Sequence, residues 1–335
     1  MFLTFFGLDL TSVGGIQTYC NQFIEEIRKD KNNIIKVIEL NKNKIFSLSF
    51  FHSIYLIFKS DHIFLLHISF IKVLFLIFFK KKVTILFYGI DIFKLKSRLI
   101  KFLLRYNTYS NFITCSNYSK NFAVKYLKIR EDNINVIYPY SNYEKIFSKI
   151  NFNHLNNEKI KILSVSRLEG KITDGIWLML NALKYNGGND IEFNIIGQGN
   201  QKDKMEKFVT KNKLSNVFFH GFQKELSKFY EETDLSISIT DNAGFGISVL
   251  DSMFFNKPSI ISKNSASFEI YNDHNYKFSI KTDNSIDELV ILLKNLKNLT
   301  INDHYNYNKF YKTKYSSIIF TKTIQKYSHK LLNDN

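Results

Sequence analysis

The sequence predicts an α/β protein made of two doubly wound domains, each with a parallel sheet covered by helices. Short apolar runs alternate with amphipathic segments along most of the 335 residues. The alternation stops in a polar stretch at 141–159, interpreted as a linker, and then starts again. With 45% apolar and 23% charged residues, the chain can bury two cores of ordinary size.

The first domain is predicted over 1–145. It opens with a strand in MFLTFFGL, then a loop with glycines and an amphipathic helix from Ile16 to Arg28. Ser116 or Asn117 is the expected N-cap of a helix at 118–127. The other apolar runs predict strands at 33–40, 63–68, 83–90, 111–116 and 134–140.

The apolar run at 63–82 allows more than one interpretation. Its apolar part of about 17 residues is shorter than the roughly 20 that a membrane span needs, and it contains His67 and Lys72. Division into a strand at 63–68 and a helix at 69–80 fits better. That helix either lies in the core or rests on an anionic membrane surface, with its terminal lysines at the headgroups.

The second domain is predicted over 146–301, followed by a helical tail at 302–335 that packs back on the first domain. Ligands of open parallel sheets bind beyond the carboxyl ends of the strands, so we expect the two sets of strand-end loops to face each other across a cleft. Strands are predicted at 159–166, 191–197, 216–221, 235–240 and 258–262, and helices at 175–185, 201–211, 224–233 and 247–255.

The net charge of +16 is concentrated in the first half of the chain. Residues 1–150 hold 22 Lys and Arg against 10 Asp and Glu, whereas 151–335 hold 24 against 20. The excess indicates either an anionic partner, such as a membrane surface or phosphorylated substrate, or a solvated basic surface. Nucleic acid is not expected, because no recognition motif accompanies the charge.

The two cysteines and the amino terminus narrow the class of protein further. Cys20 and Cys115 have no spacing typical of a disulfide framework or a zinc site. The first ten residues lack the basic region of a signal peptide. We therefore expect a cytoplasmic protein.

Two of four strand-end loops have the composition of an anion site. Gly14 and Gly15 stand between the first strand and the first helix, where the backbone can approach a ligand beside a helix N-terminus. Arg167 and Lys171 follow the first strand of the second domain, where two cations suit a diphosphate. Each loop alone also fits an ordinary turn or a solvated surface.

The other two loops are rich in glycine. Gly197 and Gly199 follow a strand and allow a base or ribose to approach the chain, and the nearby His220 is expected at the loop edge or in the core. The segment from Gly244 to Gly246 leads into a helix that carries Asp251, whose carboxylate can reach a ribose hydroxyl or face solvent.

The order of these segments resembles the retaining nucleotide-sugar glycosyltransferases of the GT-B fold, family 4 (glycosyl transferases group 1). VSRLEGK resembles that family's R-L-x-x-x-K segment, and IIGQGN its G-x-G loop. AGFGISVLDSM resembles its E-G-F-G-L-x-x-x-E-A-M motif, and FYGIDIF an acceptor-side H-G-x-D-x-W segment. The resemblance covers about residues 1–275.

The resemblance implies transfer of a sugar from a UDP- or GDP-linked donor to an oligosaccharide or lipid-linked acceptor, with the leaving phosphate taking the acceptor proton. It implies no metal and no cofactor, and a place in bacterial surface polysaccharide synthesis (O-antigen, capsule or lipopolysaccharide) on the cytoplasmic face of the inner membrane. Arg167, Lys171 and Asp251 would be catalytic, and Tyr88 and Asp91 would face the acceptor. The implied donor-binding residues are Gly14, Gly15, Gly197, Gly199, Phe222, Asp241, Gly244, Phe245 and Gly246.

Three positions depart from the family pattern. Ala243 replaces the first glutamate of the motif, and Asp251 shortens the second. Tyr88 stands where many relatives have histidine and is a poor base, since the ordinary pKa of tyrosine is near 10. Asp241 or Asn242 is expected to substitute for the missing glutamate. The alternative is a catalytically degenerate protein that binds a nucleotide sugar or a partner transferase.

Overall fold

The chain forms two compact units, 1–139 with 318–335, and 140–317. Each contains a parallel sheet and helices, which confirms the prediction of two Rossmann-like α/β domains. The computed structural model describes residues 1–7, 10–11, 14–39, 55–68, 82–89, 110–147, 159–186, 190–240, 245–271, 276–281, 285–301 and 305–333.

The described part of the first unit has a six-stranded parallel sheet with the spatial order β2-β1-β3-β4-β5-β6. Its helices include α1 (Gly15–Arg28) and α2 (Asn117–Leu127). Ser116 is the N-cap of α2, because its hydroxyl accepts a hydrogen bond from the Ser119 amide at 3.0 Å. The strands are β1 (Phe2–Gly7), β2 (Ile34–Glu39), β3 (His62–Leu65), β4 (Lys82–Phe87), β5 (Ser110–Thr114) and β6 (Ile134–Val136).

The core of the first unit explains why its central strands are continuous apolar runs. Phe5 of β1 stacks on Phe64 of β3 with ring centroids 4.5 Å apart, and Phe23 of α1 meets the edge of Phe64 at 5.7 Å. All three side chains are buried. Burial of each contributes roughly 2–3 kcal/mol, and both faces of the central strands are covered, so alternation is absent there.

The described part of the second unit has a second six-stranded parallel sheet, ordered β12-β11-β10-β7-β8-β9. Its strands are β7 (Ile160–Val165), β8 (Ile191–Ile196), β9 (Val217–Gly221), β10 (Leu235–Ser238), β11 (Ser259–Ser262) and β12 (Ser279–Ile280). Its helices are α3 (Asp174–Asn186), α4 (Lys202–Lys211), α5 (Ser227–Glu232), α6 (Ile247–Phe254), α7 (Ala266–Tyr271), α8 (Ser285–Ile301) and α9 (Tyr307–Lys314).

The strand order identifies one point in the second sheet where the winding direction changes. β7 pairs with β8 on one side and with β10 on the other. Ligands of doubly wound sheets bind beyond the carboxyl ends of the strands at such a switch point. The loops after β7 and β10 therefore take the place where a ligand is expected, and these loops carry Arg167 and Gly246.

The segment predicted as a linker at 141–159 begins with ordered structure of the second unit. That unit starts at Tyr140, and residues 142–145 form a 3₁₀ turn that Ser141 caps. The Ser141 and Glu144 side chains make hydrogen bonds within the unit. The boundary therefore lies earlier than the predicted one at 145/146, because polar side chains in this stretch have hydrogen-bond partners in the second unit.

The predicted tail at 302–335 is divided between the two units. Helix α9 belongs to the second unit, where the ring of Tyr311 lies 5.5 Å from that of Phe254 in α6. Helix α10 (Ser317–Asn333) belongs to the first unit except for its first residue, which is assigned to the second. There the Tyr327 hydroxyl forms a 2.5 Å hydrogen bond with that of Thr84 in β4.

Candidate functional site

The loop after β7 presents Arg167 to solvent between two fixed neighbours. The Ser166 amide donates to the Ile196 carbonyl at 3.1 Å, and the Leu168 amide donates to the Gln198 carbonyl at 2.9 Å. Leu168 is fully buried, whereas Arg167 is exposed. The backbone of Arg167 is thus held beyond the carboxyl end of β7. Lys171 lies in the following turn, Gly170–Thr173, and its side chain is outside the described part.

Gly197 and Gly199 have a packing role at the same edge. A Cβ atom at Gly197 would overlap the Ser166 carbonyl oxygen, and one at Gly199 would overlap the Leu168 carbonyl oxygen. The loop after β8 therefore lies directly on the loop that carries Arg167. Their predicted contact with the donor stays a prediction, while the packing explains why both positions are glycine.

The start of α3 reaches the end of β10 through another glycine. A Cβ atom at Gly175 would overlap the backbone oxygen of Ile239, which follows β10. The turn with Lys171 and the loop after β10 are therefore held side by side. The sequence alone does not indicate this role of Gly175, because its contact with Ile239 joins segments that are far apart along the chain.

Helix α6 begins at the predicted glycine loop. Gly246 is its N-cap with φ 78°, and a Cβ atom there would lie 2.7 Å from the Ser267 hydroxyl oxygen. Phe245 is buried, with its ring 5.6 Å from that of Tyr315, so its side chain packs inside the unit. Asp241, Ala243 and Gly244 lie outside the described residues.

Asp251 stands in the second turn of α6 and is held by a residue far away in sequence. The Ser141 hydroxyl donates to Oδ1 of Asp251 at 2.6 Å. Burial raises the pKa of Asp251 to about 7, and the hydrogen bond from Ser141 opposes that rise. The carboxyl group therefore titrates near neutral pH.

Three tyrosine side chains interact electrostatically with Asp251: Tyr143, Tyr230 and Tyr311. Burial raises the pKa of each hydroxyl well above its ordinary value, and the carboxylate raises it further. They are therefore neutral across the range in which Asp251 titrates. No sequence pattern indicates this cluster, because its members are dispersed along the chain between residues 141 and 311.

At the carboxyl end of β9, Phe222 and His220 face different surroundings. Phe222 is 47% exposed, so its ring is accessible to a flat ligand such as a base. His220 forms a 2.7 Å hydrogen bond through Nε2 with Oδ1 of Asn194, and its ring meets Phe229 at 5.0 Å. The histidine thus belongs to the loop edge, as expected.

In the first unit, Gly14 is the N-cap of α1 and Gly15, its first residue, is exposed. Tyr88 follows β4, and its buried hydroxyl donates to the Leu66 carbonyl at 2.7 Å and lies 3.0 Å from Sγ of Cys20. This hydroxyl is therefore committed to internal contacts. Asp91 and the predicted helix at 69–80 lie outside the described residues.

Two kinds of feature are absent from the described residues, a metal-binding cluster and a membrane-spanning helix. No cluster of three or more His, Cys, Asp or Glu side chains there has the arrangement of a metal site. None of the helices described is both long and apolar enough to cross a membrane.

Comparison with known proteins begins with the second unit. Residues 146–312 match the family model described as Glycosyl transferases group 1. Poly(ribitol-phosphate) alpha-N-acetylglucosaminyltransferase of Staphylococcus aureus (strain COL) is 29% identical over 125 residues, which are 37% of this chain. The match spans a quarter of that relative's length, 25%.

Solved structures resemble the whole chain. A glycosyltransferase from Rickettsia africae ESF-5 aligns with a TM-score of 0.76 at 15% identity, covering 100% of this chain and 99% of that one. Anabaena Alr3699/HepE, solved in complex with UDP and glucose, aligns with a TM-score of 0.76 at 14% identity. The alignment covers 98% of this chain and 100% of that one. At such identities the likeness shows the fold, which is GT-B. Over residues 146–312, most of its second unit, the chain thus resembles the glycosyl transferases group 1.

Proposed function

We propose that this protein transfers a sugar from a nucleotide-diphosphate sugar to a glycan or lipid-linked acceptor, with retention of anomeric configuration. The observation that carries the proposal is the arrangement at the switch point of the second sheet. There the exposed Arg167 follows β7, and the N-terminus of α6 follows β10. A cation and free helix amides at adjacent strand ends suit a diphosphate.

The chemistry needs stabilisation of a leaving diphosphate. The bond from the anomeric carbon to the phosphate oxygen breaks, and a bond from the acceptor oxygen forms on the same face of the sugar. The acceptor proton passes to the leaving phosphate. Arg167 and Lys171 neutralise the growing negative charge, which lowers the transition state more than the ground state. We propose that these cations make a metal ion and a cofactor unnecessary.

The nucleotide is assigned to the surrounding strand ends. The backbone at Gly246 contacts the diphosphate and sugar, next to the N-terminus of α6. Gly14 and Gly15 are proposed as donor-binding residues on the family resemblance alone. Phe222 and the backbone near Gly199 hold the base, and Asp251 accepts hydrogen bonds from the ribose hydroxyls. The exposure of the Phe222 ring supports the first of these assignments.

The sugar pocket is proposed to be modified at Ala243, and the departure from glutamate there motivates this. Removal of one acceptor for a buried hydroxyl costs about 1–3 kcal/mol, or roughly ten- to a hundredfold in rate. Asp241 or Asn242 from the same loop is proposed to compensate. Gly244 and Phe245 complete the loop beside the sugar.

The donor and acceptor classes are supported by what the relatives' names state. The Anabaena protein was solved with UDP and glucose, and the S. aureus relative is named for an N-acetylglucosaminyl transfer to poly(ribitol-phosphate). We propose a UDP- or GDP-sugar donor and a role in bacterial surface polysaccharide, such as O-antigen or capsule. The basic first half favours peripheral attachment to the anionic cytoplasmic face of the inner membrane.

A second candidate function follows from Ala243 and from the internal contacts of Tyr88. A catalytically degenerate protein would keep the nucleotide site and lose turnover. The change Ala243→Glu separates the two candidates. Gain of turnover by an inactive wild type indicates a degenerate site, whereas loss of an existing activity indicates a pocket adapted to its sugar.

The proposal is tested by screening UDP-, GDP- and dTDP-sugars for thermal stabilisation and for transfer to lipid-linked acceptors. Arg167→Ala should lower kcat/KM about ten- to a hundredfold. Arg130→Ala is the matched control, since Arg130 is also exposed but precedes β6 in the first unit. Absence of nucleotide binding and turnover with every donor would overturn the proposal.

A further inference from the structure

The contact between Ser141 and Asp251 joins two segments that are 110 residues apart. Ser141 is fully buried, and its hydroxyl accepts a hydrogen bond from the Tyr143 amide at 3.3 Å. A serine hydroxyl has one proton to donate. Because the amide fixes the accepting side of the oxygen, the proton is directed to Oδ1 of Asp251.

Ser141 is in turn held by Tyr311. The Ser141 amide donates to the Tyr311 hydroxyl oxygen at 2.9 Å, and that hydroxyl donates to Oε2 of Glu144 at 2.7 Å. Glu144 also accepts from the amide of Ser317 at 2.8 Å and from its hydroxyl at 3.1 Å. Backbone and side chain of Ser141 are therefore both fixed before any ligand arrives.

We propose that Ser141 is a positioning residue for Asp251, and that its hydroxyl keeps the carboxylate ionised and oriented toward the ribose of the donor. This inference rests on the proposed function, which gives Asp251 its ligand. Ser141 does not touch the substrate and acts through the carboxylate. Tyr311 and Glu144 support it by fixing the segment at 140–145.

The surroundings of Asp251 make this role necessary. The charged form is disfavoured by burial, and the hydrogen bond from Ser141 opposes that effect on the pKa. Tyr143, Tyr230 and Tyr311 face the group from the 3₁₀ turn, α5 and α9, and their raised pKa values keep them neutral. Without Ser141, a larger fraction of Asp251 is protonated at neutral pH and is a weaker acceptor for the ribose hydroxyls.

The test measures the affinity for UDP and GDP, which share the ribose, from pH 6 to pH 9 in the full-length protein. Ser141→Ala should weaken binding about tenfold near pH 7 and recover part of the loss near pH 9. In steady-state assays the change should raise KM for the donor more than it lowers kcat. Ser141→Thr, which keeps the hydroxyl, should retain most of the affinity.

Ser252→Ala is the matched control. Ser252 is equally buried and follows Asp251 in α6, but its hydroxyl donates to the Lys257 carbonyl at 3.1 Å. Ser252→Ala should leave the pH profile of nucleotide affinity unchanged. Tyr311→Phe, which removes the acceptor for the Ser141 amide, should shift the profile in the same direction as Ser141→Ala. Tyr311→Phe therefore still tests the positioning role of Ser141 if Ser141→Ala does not fold.

The outcomes distinguish failure of the proposed function from failure of the positioning role of Ser141. If the wild type binds neither nucleotide and transfers no sugar, the proposed function fails. If Asp251→Asn weakens nucleotide binding but Ser141→Ala and Tyr311→Phe behave like Ser252→Ala, the positioning role of Ser141 fails while the proposed function stands.

Discussion

The glycine pairs of the two units follow parallel strands in the same way, yet their surroundings differ. Gly15 is exposed, and a Cβ atom on Gly14 would meet the end of the flexible Gln17 side chain. By contrast, Cβ atoms on Gly197 and Gly199 would overlap backbone oxygens of the neighbouring loop. Glycine at a strand end thus serves loop-on-loop packing in the second unit, whereas in the first unit ligand approach is the proposed reason for glycine.

The largest effect is expected for Gly199→Ala. The new methyl group overlaps the Leu168 carbonyl oxygen, and φ at this position is +154°, which L-residues rarely adopt. Together these should cost about 4 kcal/mol of stability and displace the loop of Arg167. The midpoint of thermal unfolding of the second unit measures the effect.

Gly221→Ala is the matched control for that change. Its φ is +65°, but a Cβ atom there meets nothing within 4 Å. Gly221→Ala should therefore lower stability only through the unfavourable positive φ, by about 1 kcal/mol. Equal losses for both variants would show that overlap with the neighbouring loop contributes nothing, and the contrast between the two glycine pairs would disappear.

Asp251→Asn is expected to have a smaller effect, which raises stability but weakens nucleotide binding. The folded protein holds the pKa of this carboxyl at about 7, well above its unfolded value. The native state therefore binds more protons between about pH 4 and pH 7, and stability falls as pH rises through that window. Asn removes this dependence, so the variant should be more stable above pH 7 by about 2 kcal/mol, discounted for partial exposure.

The same variant should bind the nucleotide about tenfold more weakly. Thermal unfolding at pH 5 and pH 8 and titration with UDP or GDP measure the two effects. Asp287→Asn, at an exposed position in α8, is the control for loss of a carboxylate. Unchanged stability at pH 8 together with unchanged affinity would remove the functional reason for a half-buried carboxylate in this helix.

The two sheets could be predicted from the sequence, because the apolar runs and their spacing indicate which short segments are buried. Ser116 as an N-cap and Gly246 at the start of α6 were likewise predictable from short-range chemistry. The contact of Ser141 with Asp251 was not, since it joins a polar stretch to a helix 110 residues later. A G-x-G pattern also does not distinguish packing against a backbone oxygen from close approach of a ligand, because both require a residue without a side chain.

Tyr88→Phe should have a modest effect on stability alone. The hydroxyl donates to the Leu66 carbonyl, and Sγ of Cys20 also lies near both groups. Loss of this bond should cost about 1 kcal/mol, with kcat/KM for transfer nearly unchanged. A large loss of transfer at unchanged thermal stability would place the hydroxyl at the acceptor instead, in line with the sequence-based expectation.

The smallest effect on stability, and the sharpest test of the comparison, is expected for Gly15→Ala. The position is exposed at the first turn of α1, and alanine has the higher helix propensity, so stability should change by less than about 0.5 kcal/mol. If the backbone here approaches the diphosphate, the methyl group should still weaken donor binding severalfold. Titration with a nucleotide sugar beside a thermal melt measures both quantities. Unchanged affinity would assign Gly15 to an ordinary turn and remove it from the proposed donor site.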